Sequence, residues 1–467
     1  MLTKTEIKKF IDEDRASNKK QFARKGVQYY EGRHDIKDYK VYCYDDDGIL
    51  QEDKTKSNER ISHPFFAELV DQCTQYMLSG DTEYIRSDIP DLQNKLSEYF
   101  NDDFKMELND LITYASVEGF SYLYRYVDDK MRSRFKFADG LTVVEVPAKY
   151  ASDNKDYVIY WYYWKTEKSK DIFKIEVWDS ENVYFYTMCN SVIKEDIEIK
   201  QRPHVLYSEG NETYYDTFGD VPFIRLDNNR KQTSDLKVIK DLIDDYDLMS
   251  CGLSNNIQDV AEGIYVIKGY NGNNLSELTQ NIRAKKQIAV GDGGDVDIKT
   301  INIPYEARKA KLELDESNIY RFGMGFDSAK AETSNVTNVV IKSRYALLDL
   351  KSNKKEMQLK RMLRNIIQIV LDEINSAEKT NYELSDVYMV FDRVVPSNEL
   401  DNANIELVEA NKKQVEINTL LNVASQIDSD TLLQNICDVL EIDYETVKDK
   451  AEDTPPTTSE VRQTLEE

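Results

Sequence analysis

The chain has 467 residues and a formal net charge of -25, with 86 acidic residues against 61 basic residues. This length is too great for one compact core and predicts two or three domains. So large an acidic excess argues against a protein that holds nucleic acid by neutralising its phosphates.

Two further features of the sequence narrow the class of protein. No window approaches about 18 uninterrupted apolar residues and the N-terminus begins as a charged helix, so we expect a soluble, cytoplasmic protein without a membrane span. The five cysteines are scattered and none belongs to a CxxC pair. This pattern indicates ordinary reduced thiols rather than a disulfide framework or a zinc site.

The N-terminal segment is predicted to fold as a helix followed by a β-hairpin. Residues 3–28 have helical periodicity, and the alternating stretch after them turns at Asp47-Gly48. An amphipathic helix then starts after Pro64 and is expected to stop at Gly80. We take Asp47-Gly48 as a hairpin turn rather than a calcium loop, because the EF-hand ligand spacing is absent.

The middle of the chain combines one more helix with a long strand-rich region. Residues 92–119 are predicted to form a single helix. From Phe120 to Arg225 the sequence alternates and is rich in aromatic residues, which predicts an antiparallel sheet. The first half of the chain is therefore expected to be α+β.

Helices dominate from Ser234 onward. Ser234 is the predicted N-cap of a helix of about 28 residues, which would be about 40 Å long. Short strands and a small helix are expected between Ile264 and Pro304, and a second helix starts at Tyr305.

The rest of the chain begins with the flexible run GMGFDSAKAETSNVTN, which is expected to connect two helices. The helix after it spans about 37 residues. A strand near VYMVFDRVVP and a small helical unit close the pattern.

This order of elements resembles that of the portal proteins of tailed phages that infect Gram-positive hosts. Four stretches carry the likeness: YYEGRHDI before a hairpin, the helix around ELVDQCTQYMLSG, VPFIRLDNNRKQTSDLKVIKDLIDDYD, and RYALLDLKSNKKEMQLKRML. None of them is a chemical motif. The specific signal is their joint occurrence in the family's order, around a helix, an insert, a helix, a loop and a long helix.

The resemblance implies an α+β portal fold that assembles into a ring, with long stem helices and a long kinked helix after a tunnel loop. The implied regions are a wing (1–233, with a strand return near 383–396), a first stem helix (234–261), a clip (262–304), a second stem helix (305–324), a tunnel loop (325–338), a long wing helix (339–376), a crown (397–450) and a flexible tail (451–467).

The function that the resemblance implies is not enzymatic. The subunit would join a dodecameric ring at one capsid vertex of the virion and form the channel through which double-stranded DNA is packaged and ejected. The implied partners are further copies of the chain, the terminase large subunit, a head-tail connector or adaptor protein, and the major capsid and scaffolding proteins. Assembly would take place in the host cytoplasm, without a membrane and without a cofactor.

Basic and small polar residues supply the candidate contacts with DNA. In the expected tunnel loop these are Lys330, Ser334, Asn335 and Thr337, unless the loop is a connector without contacts. On the following helix the candidates for DNA-facing or intersubunit positions are Lys342, Arg344, Lys351, Lys354 and Lys355. A solvated face is the alternative for this basic tract.

Acidic residues of the stem and basic residues of the clip form two more candidate surfaces. Asp244, Asp245 and Glu313 would either line a channel wall that repels DNA or belong to a solvated outer face. Arg283, Lys285 and Lys286 would contact an acidic partner surface at the clip, with ordinary solvation as the alternative.

Two other classes of function remain as alternatives. A metal-dependent nuclease would need a constellation of ligands, and the sequence has no phosphate loop, no HExxH and no GxSxG. The three histidines, His34, His63 and His204, are far apart in sequence and are expected to be structural. A protein-binding cytosolic adaptor without a channel would share the acidic charge and the helical content. Assembly into a ring distinguishes it from a portal subunit.

Overall fold

The computed structural model divides the chain into two compact units. One unit comprises Met1–Ser328 and Ala346–Val394, and the other comprises Ala329–Tyr345 and Val395–Glu467. The structure describes the chain except for residues 46, 55, 81–82, 168–169, 210–211, 261–263, 269–294, 300–303, 328–337, 395–398, 441, 443, 445–446 and 448–467. The expected flexible tail therefore lies outside the described residues.

Two helices, α1 (Lys4–Ala16) and α2 (Asn18–Tyr30), replace the single helix expected over residues 3–28. Ser17 separates them, because its backbone is extended and its side chain accepts a hydrogen bond from the Lys20 amide at 3.2 Å. A serine in this position satisfies an amide that the start of a helix leaves unpaired. The expectation of one continuous helix was wrong at this serine.

The expected β-hairpin is confirmed. Strands β1 (Tyr42–Tyr44) and β2 (Leu50–Glu52) pair antiparallel, and Gly48 in the turn has a φ of 75°. The carboxylate of Asp45 accepts hydrogen bonds from the amides of Asp47 and Ile49 at 3.1 and 2.8 Å. These bonds are those of an acidic residue that initiates a turn.

Helix α3 (Phe65–Met77) packs with the apolar face that its sequence predicts. Its buried side chains include Phe66, Leu69, Val70, Cys73, Tyr76 and Met77. The helix ends at Met77 rather than at Gly80. Gly80 instead allows close chain approach, since a β-carbon there would lie 2.7 Å from the carbonyl oxygen of Asp392.

Helices α4 (Pro90–Tyr99) and α5 (Asp102–Glu118) replace the single helix expected over residues 92–119. Asn101 separates them, because its side chain accepts a hydrogen bond from the Phe104 amide at 3.1 Å. The expectation missed this N-cap, which lies inside an otherwise helical pattern.

The aromatic region forms antiparallel sheets, as its alternation predicts. A short strand, β3 (Ile85–Arg86), precedes this region. The strands of the region itself are β4 (Phe120–Val127), β5 (Ser133–Ala138), β6 (Val143–Val146), β7 (Tyr157–Glu167), β8 (Lys170–Trp178), β9 (Asn182–Cys189), β10 (Val192–Glu195), β11 (Gln201–Pro203), β12 (Val205–Glu209), β13 (Glu212–Asp216) and β14 (Phe223–Asp227). One sheet has the order β14-β4-β5, and a second has the order β10-β9-β8-β7-β6 with β11 paired to β9. Strands β12 and β13 pair with each other.

Helix α6 (Lys240–Val260) and helix α7 (Tyr305–Gly323) are the two helices expected on either side of the insert, and we call this pair the stem helices after that expectation. A 3-10 turn, Asp235–Val238, precedes α6, and the Ser234 side chain caps that turn at 3.1 Å from the Leu236 amide. The first helix is therefore 21 residues long and does not start at Ser234. Between α6 and α7, strands β15 (Ile264–Lys268) and β16 (Asp295–Lys299) pair antiparallel.

Helix α8 (Asn338–Glu378) is the expected long helix and has 41 residues. The expected strand return is present as β17 (Tyr388–Met389), which pairs antiparallel with β3. In the second unit, α9 (Glu399–Asn422) and α10 (Ser429–Leu440) form the expected helical segment. Within the described part of the chain no helix is long and apolar enough to cross a membrane.

The core beneath the start of α6 joins the N-terminal helices to both stem helices. Its buried residues are Tyr29, Phe66, Leu69, Val70, Val117, Leu236, Ile239, Ile243, Ile319 and Tyr320. We call this region the stem root, meaning the turn at 235–238 with the first half of α6 and the segments of α2, α3, α5, α7 and α8 that contact it. A separate core packs α1 against the larger sheet.

Candidate functional site

A buried ion-pair cluster lies at the stem root, where α8 meets the turn before α6. The nitrogens of Lys351 and Lys355 lie 3.1 and 2.9 Å from the same oxygen of Asp235. Lys351 also donates a hydrogen bond to the carbonyl oxygen of Gly323 at 3.0 Å, and Lys355 donates one to the hydroxyl of Ser116. The cluster thus holds together four segments of one unit.

The ion pair shifts the pKa values of Asp235 and Lys351 towards their charged forms. Burial raises the pKa of Asp235, but the two lysine charges outweigh it and hold that pKa far below the usual value of an aspartate. Burial lowers the pKa of Lys351, and the Asp235 charge more than reverses this. Lys351 and Lys355 are therefore engaged inside the subunit, which does not fit the expectation that they face DNA or a neighbouring subunit.

The other residues of the basic tract lie at the surface or partly so. Lys354 and Lys342 are exposed, and Arg344 is half-buried. The side chains of Lys351 and Lys355 are only 10% and 9% exposed, because residues four apart lie on the same face of a helix and this face is buried. The face of α8 on which a lysine lies therefore decides its role, and composition alone does not give that face.

A second cluster at the stem root joins Asp247 of α6 to two histidines. The two carboxylate oxygens of Asp247 lie 2.6 Å from Nδ1 of His34 and 2.7 Å from Nδ1 of His63. The His63 amide also donates to Asp247 at 3.0 Å, and the His34 ring stacks on Tyr29. Burial raises the pKa of Asp247, but the hydrogen bonds from His34 and His63 outweigh it and lower that pKa.

Sequence reasoning treated these histidines as separate structural residues and did not bring them together. They are 29 positions apart in the sequence, and Asp247 lies far from both. The helical spacing of apolar residues in α6 did not indicate which of its aspartates is buried in the core. Asp247 is buried, and this burial brings its carboxylate into contact with both histidines.

The three acidic candidates of the stem have different surroundings. Asp244 accepts a hydrogen bond from the Tyr29 hydroxyl and pairs with Lys240 at 2.5 Å. Asp245 pairs with Lys311 across the two stem helices at 2.6 Å. Glu313 is 62% exposed and lies 4.0 Å from Lys309. Of the three, Glu313 is the most exposed and the least tightly paired.

Two groups of candidates cannot be placed. The tunnel-loop candidates Lys330, Ser334, Asn335 and Thr337 lie outside the described residues. The clip candidates Arg283, Lys285 and Lys286 also lie outside them. Both groups remain predictions from the sequence.

Exposed apolar side chains continue along the stem helices beyond the root. Ile257 of α6 is 54% exposed and Leu314 of α7 is 58% exposed.

All five cysteines are free thiols, as expected. In the portion of the chain that the structure describes, no group of three or more His, Cys, Asp or Glu residues is arranged to hold a metal ion.

The chain is similar to known phage proteins along most of its length. The sequence model of the family described as "Phage portal protein, SPP1 Gp6-like" matches residues 9–449. The portal protein of Bacillus phage SPP1 is 29% identical over 382 residues, which cover 81% of this chain and 74% of that protein. The portal protein of Clostridium phage phiCD119 is 25% identical over 406 residues, covering 80% and 85%.

One solved structure also aligns with most of the chain. It is a chain from the neck of a native GTA particle computed with C12 symmetry, and the alignment covers 80% of this chain and 89% of that one. The identity is 10% and the TM-score is 0.36.

Proposed function

The chain belongs to the SPP1 Gp6-like family of phage portal proteins, and from this premise we propose that twelve copies close into a ring at one vertex of the capsid. As a portal protein it is a component of the phage virion at the junction of head and tail. The observation that carries the proposal is the family match over residues 9–449, nearly the whole chain. The proposed ring is the channel for DNA packaging and ejection.

The proposed regions of the subunit follow the order of its elements. Residues 1–233 and the strand return at β17 form the wing, and α6 and α7 form the stem. The paired strands β15 and β16 belong to the clip, and α9 and α10 belong to the crown. The antiparallel pairing of β17 with β3 supports the return of the chain to the wing after α8.

The net charge of -25 suits a channel through which DNA slides. Each phosphate that a fixed lysine or arginine neutralises adds affinity, and affinity opposes movement. Glu313 is the acidic candidate best suited to a repelling wall, because it is exposed and only loosely paired. Lys330, Ser334, Asn335 and Thr337 remain the proposed contacts of the tunnel loop with DNA.

The proposed partners change during assembly. The terminase large subunit binds the clip during packaging, through Arg283, Lys285 and Lys286. A head-tail connector then takes its place, and the major capsid and scaffolding proteins surround the wing. Assembly takes place in the host cytoplasm.

Portal proteins are structural, and no catalytic role is proposed for this chain. A cytosolic adaptor and a metal-dependent nuclease are the rival functions that the sequence left open. Neither rival requires a closed ring with a central hole. The state of assembly therefore separates the portal function from both.

Native mass spectrometry of the purified full chain, with negative-stain images, tests this proposal. We expect a particle of about twelve subunits with a central hole, because a closed ring has one fixed rotation between neighbours. A stable monomer or dimer across salt and protein concentration would contradict it. A ring with a different number of subunits would be consistent with a channel but would contradict the proposed dodecamer.

A further inference from the structure

A cavity of about 190 Å³ opens beside the ion-pair cluster of the stem root. The residues that matter for its chemistry are Asn228, Asn229, Asp235, Lys351, Lys354 and Lys355. Lys354 is exposed and lines the same cavity, so the cavity reaches the surface. All of these residues belong to one compact unit of a single subunit.

The charges around this cavity do not balance. Two nearly buried ammonium groups, those of Lys351 and Lys355, share one carboxylate, that of Asp235. In the described part of the chain no other carboxylate lies within 4.0 Å of either nitrogen. The neighbouring carboxylate of Asp227 pairs with Arg225 at 2.7 Å. An excess buried positive charge is costly unless a counter-charge compensates it.

The hydrogen bonds of the two ammonium groups leave donors unused. Each lysine ammonium has three N–H donors. Lys351 donates one to Gly323 and Lys355 donates one to Ser116, and each nitrogen also lies within ion-pair distance of Asp235. Each nitrogen therefore keeps a donor beyond these contacts. Lys354 makes no ion pair with any described carboxylate and adds a third ammonium at the mouth.

We propose that this cavity is a binding site for a small tetrahedral oxyanion of the phosphate type, held by Lys351, Lys354 and Lys355. An anion there supplies the missing negative charge and accepts the unused N–H donors. Charge-assisted hydrogen bonds of this kind are about twice as strong as neutral ones. The site is formed within one subunit, so it exists whether or not the chain forms rings.

Free phosphate and the backbone of DNA offer the same chemistry, and the burial of the lysines favours the free ion. The side chains of Lys351 and Lys355 are 10% and 9% exposed, so a rigid duplex cannot bring its phosphates to their nitrogens. The cavity has room for a small anion together with water molecules. We therefore assign the site to a free oxyanion.

Occupation of the site would reinforce the stem root. Asp235 precedes α6, Gly323 ends α7, and both lysines lie on α8. A bound anion would remove the repulsion between the two ammonium groups that meet there. Because only the folded chain forms the site, binding stabilises the protein by mass action.

The test is isothermal titration of the full chain with inorganic phosphate, at constant ionic strength maintained with sodium chloride. We expect saturable binding of one phosphate per subunit that chloride does not abolish. Lys355→Gln should weaken binding about tenfold or more, because it removes a hydrogen bond to a charged group. Lys354→Gln should weaken it roughly threefold, as for an exposed ion pair.

Lys342→Gln is the matched control, since Lys342 is an exposed lysine of the same helix and does not line the cavity. It should bind phosphate as the wild type does. Absence of saturable binding to the wild type would overturn the proposal. Equal weakening by Lys342→Gln and Lys354→Gln would also overturn it, because binding would then depend on general surface charge.

Two further arms complete the experiment. If Lys355→Gln does not fold, Lys354→Gln decides the outcome, since an exposed side chain can be changed without loss of the fold. A short DNA duplex is added in competition with phosphate. No competition is expected, and displacement of phosphate by the duplex would overturn the assignment to a free oxyanion.

Discussion

The buried stem root and the exposed faces of α6 and α7 use charged residues in opposite ways. At the root, Asp235 and Asp247 are enclosed by lysines and histidines from other segments. On the exposed faces of α6 and α7, Glu313 is exposed and loosely paired, and the apolar side chains of Ile257 and Leu314 are also exposed. Charge at the root therefore holds one subunit together, and charge on the exposed faces of these helices meets solvent.

This difference shows why a count of acidic residues does not describe a channel wall. The five aspartates Asp241, Asp244, Asp245, Asp247 and Asp259 are spread over one helix. Asp247 is fully buried and Asp241 is exposed. A residue can repel DNA only if the fold leaves its charge uncompensated and exposed.

The largest expected effect is that of Asp235→Asn at the root. The change leaves two nearly buried lysines without a carboxylate, so unfolding should become easier by about 3–5 kcal/mol. Urea unfolding of the full chain measures this loss. Asp241→Asn is the control on the exposed surface and should stay within about 0.5 kcal/mol of the wild type. Equal effects of the two changes would remove the distinction between buried and exposed charge.

Asp247→Asn should have the next largest effect. It removes the charge that accepts from both His34 and His63, and the expected loss of stability is about 3 kcal/mol. Asp245→Asn is the matched control, since its pair with Lys311 is about half exposed and should be worth less than about 1 kcal/mol. Chemical denaturation followed by tryptophan fluorescence measures both. A small loss for Asp247→Asn would show that the histidine cluster does not stabilise the root.

Glycine to alanine changes should have opposite signs at the root and along the stem. A β-carbon at Gly26 would lie 2.0 Å from the carbonyl oxygen of Val117, so Gly26→Ala should destabilise by about 2 kcal/mol. At Gly252, within α6, the nearest such atom is a guanidinium nitrogen of Arg308 at 3.7 Å. Gly252→Ala should stabilise by about 0.5–1 kcal/mol because alanine favours a helix. Thermal unfolding distinguishes the two, and the same sign for both would contradict the comparison.

Lowering the pH should reduce the free energy of unfolding through protonation of Asp35, by less than the substitutions described above. Burial raises the pKa of Asp35, but the ion pairs with Lys240 and Lys25 outweigh it and lower the pKa to about 2. A lowered carboxyl pKa contributes stability above the unfolded value, 3.8, and loses it as the pH falls towards about 2. Asp35 is well exposed, so its share should be less than about 1 kcal/mol. Stability measured from pH 5 to pH 2 should fall less in Asp35→Asn than in the wild type, and parallel curves would contradict this role.

The smallest expected effect on stability is that of Glu313→Gln on the exposed face of α7. Because Glu313 is exposed and 4.0 Å from Lys309, the change should stay within about 0.5 kcal/mol of the wild type in urea unfolding. A larger loss would mean that the exposed face of α7 also depends on charge for its fold.

The sequence predicted the kinds of elements better than their boundaries. The hairpin at Gly48, the apolar face of α3 and the long α8 follow from turn residues and periodicity, which are local signals. The interruptions at Ser17 and Asn101 were missed, because a single capping residue can divide a helical pattern without changing its period.

The candidate site was less predictable than the fold. The basic tract of α8 was visible in the sequence, but the burial of Lys351 and Lys355 depends on Asp235, more than 100 residues earlier. The convergence of His34 and His63 on Asp247 likewise depends on tertiary packing. Local periodicity describes one helix at a time, so it does not identify partners on other segments.

Cryo-electron microscopy of the assembled particle tests the central claim, that this portal subunit forms a ring in which the exposed face of α7 lines the channel. The account predicts a closed ring of twelve subunits in which the Glu313 carboxylates line the central hole and Asp235 stays paired with Lys351 and Lys355 inside each subunit. A map without a central channel would contradict the claim, as would a ring in which Glu313 lies on the outer surface.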